Sequence, residues 1–162
     1  MSVDAVSLAG VAAIGFASAF QPFTPVEVYL VGVVATTNAA PVPAGLVAAL
    51  GQTAGKLVIF LATRGLLRGT WLQRIVDRQR GAARRSAFRD RMAALVALLD
   101  RPRYAAALLF ASAVGGIPPL LATTVYVART PMPVSLFSAF CLSGRTIRFV
   151  VVALAPALVL PA

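Results

Sequence analysis

Residues 22–43, "PFTPVEVYLVGVVATTNAAPVP", set the apolar segment Val26–Thr37 between two proline clusters and put one carboxylate, Glu27, at its start. A helix over that segment rises about 18 Å, too little for a hydrocarbon core about 30 Å thick. The preceding apolar run, Ala5–Phe20, would rise about 24 Å before Pro22 and Pro25 interrupt it. Two short apolar helices around a proline-marked break predict a re-entrant hairpin, which is tolerated at membrane depth only where protein or a water-filled cavity satisfies the freed backbone. After "TTNAAPVP", Pro43–Thr63 gives about 30 Å of helix, enough to cross.

Composition agrees with a membrane setting. Of 162 residues, 59% are hydrophobic and 12% charged, far from the usage of an ordinary soluble domain. Val3–Thr63 carries only Asp4, Glu27 and Lys56 as charges, Tyr104–Ala128 carries none, and Thr130–Ala162 carries only Arg145 and Arg148. The net charge of +10 comes from a different place: eleven of the fourteen arginines lie in Arg64–Arg103. The positive-inside rule makes that segment a cytoplasmic loop, and no aromatic stacking pattern accompanies its arginines, so no nucleic-acid partner is expected. With no histidine and one cysteine, Cys141, the chain lacks the commonest metal ligand and general base and has no intramolecular disulfide, so neither an enzyme nor a cofactor is expected. The "ASAF" at residues 17–20 resembles a signal-peptidase site, but no basic region precedes it, and a retained helix is expected.

Inside the basic segment, Thr70 and Gln73 have capping-box spacing, and Trp71, Leu72, Ile75 and Val76 share a face; Phe88, Met92, Leu95, Val96 and Leu99 repeat the pattern after Gly81. Both read as helices lying on an anionic leaflet, with a solvated basic loop as the alternative. Ala5, Ala9, Ala13 and Ala17, with Gly10 and Gly15 alongside, predict a smooth face on the first helix for close helix contact.

From residue 104 the first-half pattern returns: a short helix, Tyr104–Val114; a break, "GGIPP", with Pro118 and Pro119; a second short helix, Leu120–Arg129; the pair "TPMP"; and a long helix from Val134. Since each half holds one hairpin and one crossing, the second is inverted relative to the first, as in many transporters. The division is residues 1–63 for repeat one, 64–103 for a basic amphipathic cytoplasmic linker and 104–162 for repeat two, in one membrane domain. The flanks of hairpin one carry no basic residue, whereas those of hairpin two carry Arg101, Arg103 and Arg129, which orients the first outward and the second toward the cytoplasm. The expected fold is thus an all-α integral membrane protein, an inverted repeat of re-entrant hairpin plus transmembrane helix with interfacial helices between the halves.

Lys56 and Arg145 fall near the middle of their long helices, where charges are costly and mark function or a buried ion-pair network. Gln52 shares a face with Lys56, and Ser138, Cys141, Arg145 and Arg148 share another. Glu27 admits two compatible readings: N3 of a capping box begun by Thr24 and Pro25, or a titratable carboxylate at the hairpin. Glu27, Lys56, Gln52, Arg145 and Arg148 are therefore the expected substrate and proton site.

The order "P-x-E" in a hairpin, "ALG-x-x-x-GK" and then "RG" in the next helix, and "GR-x-x-RF" in the last resembles the DedA/VTT-domain (SNARE-associated Golgi protein-like) superfamily in its short, YqaA-like form, over residues 20–155. The resemblance implies movement of phospholipids or polyprenyl phosphate across a bacterial inner membrane, often dependent on proton motive force, and matches Glu27 to the family's hairpin glutamate. The second hairpin reads "VGGIPPLLA" and lacks the arginines that the family carries there. The function expected is a flippase or scramblase-like carrier whose partners are membrane lipids with an anionic headgroup, homo-oligomerisation being left open. Two alternatives stand beside it, a small-solute or drug exporter and a non-transporting membrane-shaping or envelope-homeostasis scaffold.

Overall fold

The computed structural model describes residues 3–20, 26–37, 40–67, 69–70, 73–78, 102–117 and 119–159, the side chains of 3–5, 37, 102–103 and 156–159 excepted. Among the described residues six principal helices follow one another: α1 (Val3–Ser18), α2 (Val26–Thr37), α3 (Pro41–Thr63), α4 (Pro102–Gly115), α5 (Leu120–Val127) and α6 (Val134–Val159). Among the described residues there is no strand. Pro41–Thr63 and Val134–Ala155 are long and apolar enough to cross a membrane, and the other apolar helices are shorter. The proline breaks expected at Pro22, Pro25 and Pro118, the Thr24 cap, and the linker helix after Gly81 lie outside the described residues.

Helix α2 has the bounds expected of it, whereas α3 begins at Pro41 instead of Pro43. The N–H groups of a first turn have no intrahelical acceptor, so Pro41 and Pro43 both fit there, and the first backbone bond runs from Ala44 N–H to Ala40 O at 3.2 Å. Helix α5 stops at Val127 instead of Arg129, and residues 128–131 continue as turns. In the linker, Gln73 N–H donates to Gly69 O at 2.9 Å, so that first turn opens at Gly69, one residue before the expected Thr70 cap. Val76 is buried there and Ile75 half-buried, while Gln73, Arg74, Asp77 and Arg78 are exposed, as an amphipathic helix requires.

The chain divides into two compact units, one of Met1–Gly55 with Leu142–Ala162 and one of Lys56–Cys141. In the first, α1 packs on α2, and Val11, Val26, Leu30, Ala44, Ala48, Ala49, Phe149 and Ala153 form the core. Of the smooth face expected on α1, Ala9, Ala13 and Ala17 are exposed, whereas Gly15, expected alongside them, is buried against α3. Close approach runs instead through Ala12, Gly15, Phe16 and Ala19. A methyl group on Gly15 would sit 2.8 Å from Ala48 O, one on Gly51 would strike Ala12 O, and one on Gly55 would sit 2.8 Å from Phe16 O. Backbone faces backbone at this crossing, which is what small residues permit.

In the second unit α4 and α5 form a hairpin. Gly116, at φ +77°, turns the chain out of α4, with its N–H on Ser112 O at 2.9 Å. Pro119 then has the extended ψ of 123° that precedes α5 and contributes the carbonyl to which Thr123 N–H donates at 3.1 Å. Thr123 Oγ1 donates across the hairpin to Ser112 Oγ at 3.2 Å, both residues fully buried. Phe60 stacks on Phe137 with ring centroids 4.2 Å apart, at the centre of a core that includes Leu109, Met132 and Cys141.

Candidate functional site

The first unit collects polar side chains from four helices. The first turn of α2 carries Glu27, where a carboxylate also complements the positive end of the helix. Helix α6 carries Arg148, whose Nε donates to Glu27 Oε1 at 3.1 Å and whose Nη2 lies 3.0 Å from the same oxygen. The two are 121 residues apart in sequence. Their side chains are 29% and 33% exposed, Arg148 and Glu27 respectively, so the pair is neither a surface contact nor sealed in the core. Whichever group caps α2, the glutamate is engaged by an arginine, and the capping box itself involves Thr24, outside the described residues.

One turn before Phe149 on α6, Arg145 is buried at 8% exposure and sets its guanidinium 5.6 Å from the Phe149 ring centroid, within cation–π range. Phe149 is fully buried in the first unit's core, which ties the position of Arg145 to the packing of that unit.

Gln52, from α3, donates through Nε2 to Ser18 Oγ at 3.0 Å, and Ser18 Oγ donates in turn to Gly15 O at 2.7 Å. All three are buried where α1 meets α3. Gln52 Oε1 and Thr53 Oγ1 are buried and find no hydrogen-bond partner among the described residues. Lys56, one turn past Gln52 on α3, falls in the second unit and is buried at 3% exposure. Of the five expected residues, Glu27 and Arg148 pair directly, Arg145 sits one turn from Arg148 against an aromatic ring, Gln52 joins a hydroxyl on α1, and Lys56 is buried within the second unit. Of the hairpin prolines, Pro119 is described and exposed.

Three participants were absent from the expectation: Ser18, Thr53 and Phe149. Phe149 had a readable signal, an aromatic four residues beyond an arginine on one helix. Ser18 had a weaker one, a hydroxyl at the end of an otherwise apolar helix.

Chemically, a half-exposed carboxylate–guanidinium pair beside a second, buried guanidinium can exchange one anion for another. Arginine offers planar donors that suit a carboxylate or a phosphate alike. Comparison with known proteins finds no family model, curated protein or solved structure that matches this chain.

Proposed function

We propose that this chain is a multi-pass inner-membrane carrier, flippase or scramblase-like, for an anionic lipid headgroup. The observation that carries the reading is an inverted polarity on the two long helices. On α3 the exposed positions are Val42, Pro43, Leu46, Leu50 and Ala54, while Gln52, Thr53 and Lys56 are buried. On α6 the exposed positions among the described side chains are Ala139, Ile147, Val151, Leu154 and Ala155 with two serines, Ser135 and Ser143, and no charge among them, while Arg145 is buried. A helix in water buries its apolar side and exposes its charges. Apolar outside with cations inside suits a lipid solvent around a polar interior.

The duplicated order of short helix, break, short helix, proline pair and long helix supports an inverted repeat of re-entrant hairpins, and the arginine distribution supports a cytoplasmic Arg64–Arg103 linker. The resemblance to the DedA/VTT superfamily is a further support for a lipid substrate. In the proposed cycle Arg148 alternates between two anions. Protonation of Glu27 removes its charge and releases Arg148 to a headgroup phosphate, with Arg145 as the second guanidinium; on the far side Glu27 loses its proton, reclaims Arg148 and displaces the lipid.

The test uses proteoliposomes carrying trace labelled phosphatidylglycerol or phosphatidylcholine, with an impermeant quencher reporting the outer leaflet. Wild type should move the anionic lipid faster than protein-free vesicles. Arg145→Gln should slow it by on the order of tenfold or more, the scale of one charge-assisted contact, and Arg145→Lys should restore only part. Movement of both lipids at the protein-free rate would end the reading.

A further inference from the structure

Helix α3 closes in a Schellman arrangement: Leu66 N–H donates to Leu61 O at 3.1 Å, Gly65 N–H donates to Ala62 O at 3.0 Å, and Gly65 takes φ +77°. Arg64 is thereby the C-cap residue, directly after Thr63, and in sequence the first of the basic linker. Its side chain does not behave as a linker charge. Nε donates to Ala128 O at 3.1 Å, and Nη2 donates to Thr130 O at 2.8 Å and to Met132 O at 2.5 Å. One turn back on α3, the Phe60 ring centroid lies 4.2 Å from the Arg64 Cζ.

The three acceptors come from the connection that joins α5 to α6. That connection uses its own donors backward: Ala128 N–H reaches Thr124 O, Arg129 N–H reaches Tyr126 O, and Thr130 offers both its N–H and its hydroxyl to Val127 O. Its carbonyls at 128, 130 and 132 instead converge on one cation. Ala128 and Met132 are buried at 5% and 0% exposure, so these carbonyls cannot simply be returned to solvent at no cost.

We infer that the carbonyl oxygens of Ala128, Thr130 and Met132, with the face of Phe60, form a guanidinium receptor that Arg64 fills from the end of α3, pinning the α5–α6 connection in place. The ligand class follows from geometry. A guanidinium has donors spread around a plane and a face that lies against an aromatic ring, whereas an ammonium is a compact point charge. Arg64 is thus a positioning residue for the second hairpin.

Chemical complementation of the full chain in detergent tests this. Arg64→Ala should lower the Tm by on the order of 10 °C, from several lost charge-assisted hydrogen bonds. Millimolar guanidinium chloride, far below denaturing levels, should raise the Tm of Arg64→Ala saturably by filling the vacated receptor. Urea and sodium chloride should not, and wild type, whose receptor is filled, should gain nothing from guanidinium. Arg64→Lys should also lose Tm and should not respond. The inference is overturned if Arg64→Ala or Arg64→Lys melts like wild type, or if Arg64→Ala is unmoved by guanidinium or equally helped by urea. Should Arg64→Ala fail to accumulate, Arg64→Lys decides: a lowered Tm that guanidinium does not restore upholds the receptor, and a wild-type Tm overturns it.

Discussion

Gly51→Ala adds one methyl group where α3 crosses α1, and its effect follows from opposing magnitudes. In a helix interior alanine is favoured over glycine by about 1 kcal/mol. Against that gain, the new Cβ would strike the Ala12 carbonyl oxygen and lie 3.1 Å from Ala12 C and 3.2 Å from Ala12 Cα. Carbon atoms prefer about 3.5–4.0 Å, so the helices would have to part by several tenths of an ångström. The obstacle is main chain, which has no rotamer to change. Overpacking costs about 1–3 kcal/mol, and with rigid main chain as the obstacle and the neighbouring Gly15 and Gly55 contacts disturbed as well the cost falls at about 2–3 kcal/mol, so the clash wins by about 1–2 kcal/mol. Gly32 on α2 is the control, since a Cβ there meets nothing within 4 Å and alanine should stabilise by about 1 kcal/mol. At about 2–4 °C per kcal/mol for a chain of this size, Gly51→Ala should melt about 2–8 °C below wild type and Gly32→Ala about 2–4 °C above. Thermal scans by far-UV circular dichroism, in one detergent and at one scan rate, make the comparison. Gly51→Ala rising together with Gly32→Ala would refute the close α1–α3 crossing.

Two further outcomes are expected. Single cysteines at Ser86 and Ser2, in a Cys141→Ala background, should react with an impermeant thiol reagent from opposite sides of a sealed membrane; labelling from one side only would reject the proposed number of crossings. Ser18→Ala removes the acceptor of Gln52 Nε2 inside the α1–α3 contact and should destabilise by about 1–3 kcal/mol, with Ser18→Ala plus Gln52→Leu costing less than the sum of the two singles, as a melting series would show.

Much of the helical order was legible because its punctuation is local. Prolines and small polar residues bound α2 and open α5, and those cues act within a few residues. The buried face of α1 was not legible. Alanine and glycine occur all around that helix, so a four-residue alanine repeat does not single out a side, and the choice is made by the glycines of α3 opposite. The site divides in the same way. That Glu27, Arg145 and Arg148 are unusual could be read from their apolar surroundings. Which cation meets Glu27 could not, because spacing along a helix says nothing about a partner 121 residues away. Arg64 shows the converse: eleven arginines in one segment look alike as charge, and only the fold sets this one against three carbonyls.

The most direct measurement of the proposed carrier cycle is lipid movement by Glu27→Gln against wild type, in proteoliposomes of matched protein content, across a pH series. Glutamine keeps the size and hydrogen-bonding reach of the side chain and removes the charge that draws Arg148. If Arg148 alternates between Glu27 and a phosphate, Glu27→Gln should still bind anionic lipid but should translocate it slowly at every pH, since nothing reclaims Arg148 on the far side, and the pH dependence of wild type should vanish. A wild-type rate with a wild-type pH profile in Glu27→Gln would reduce Glu27 to a structural partner of Arg148 and contradict the cycle.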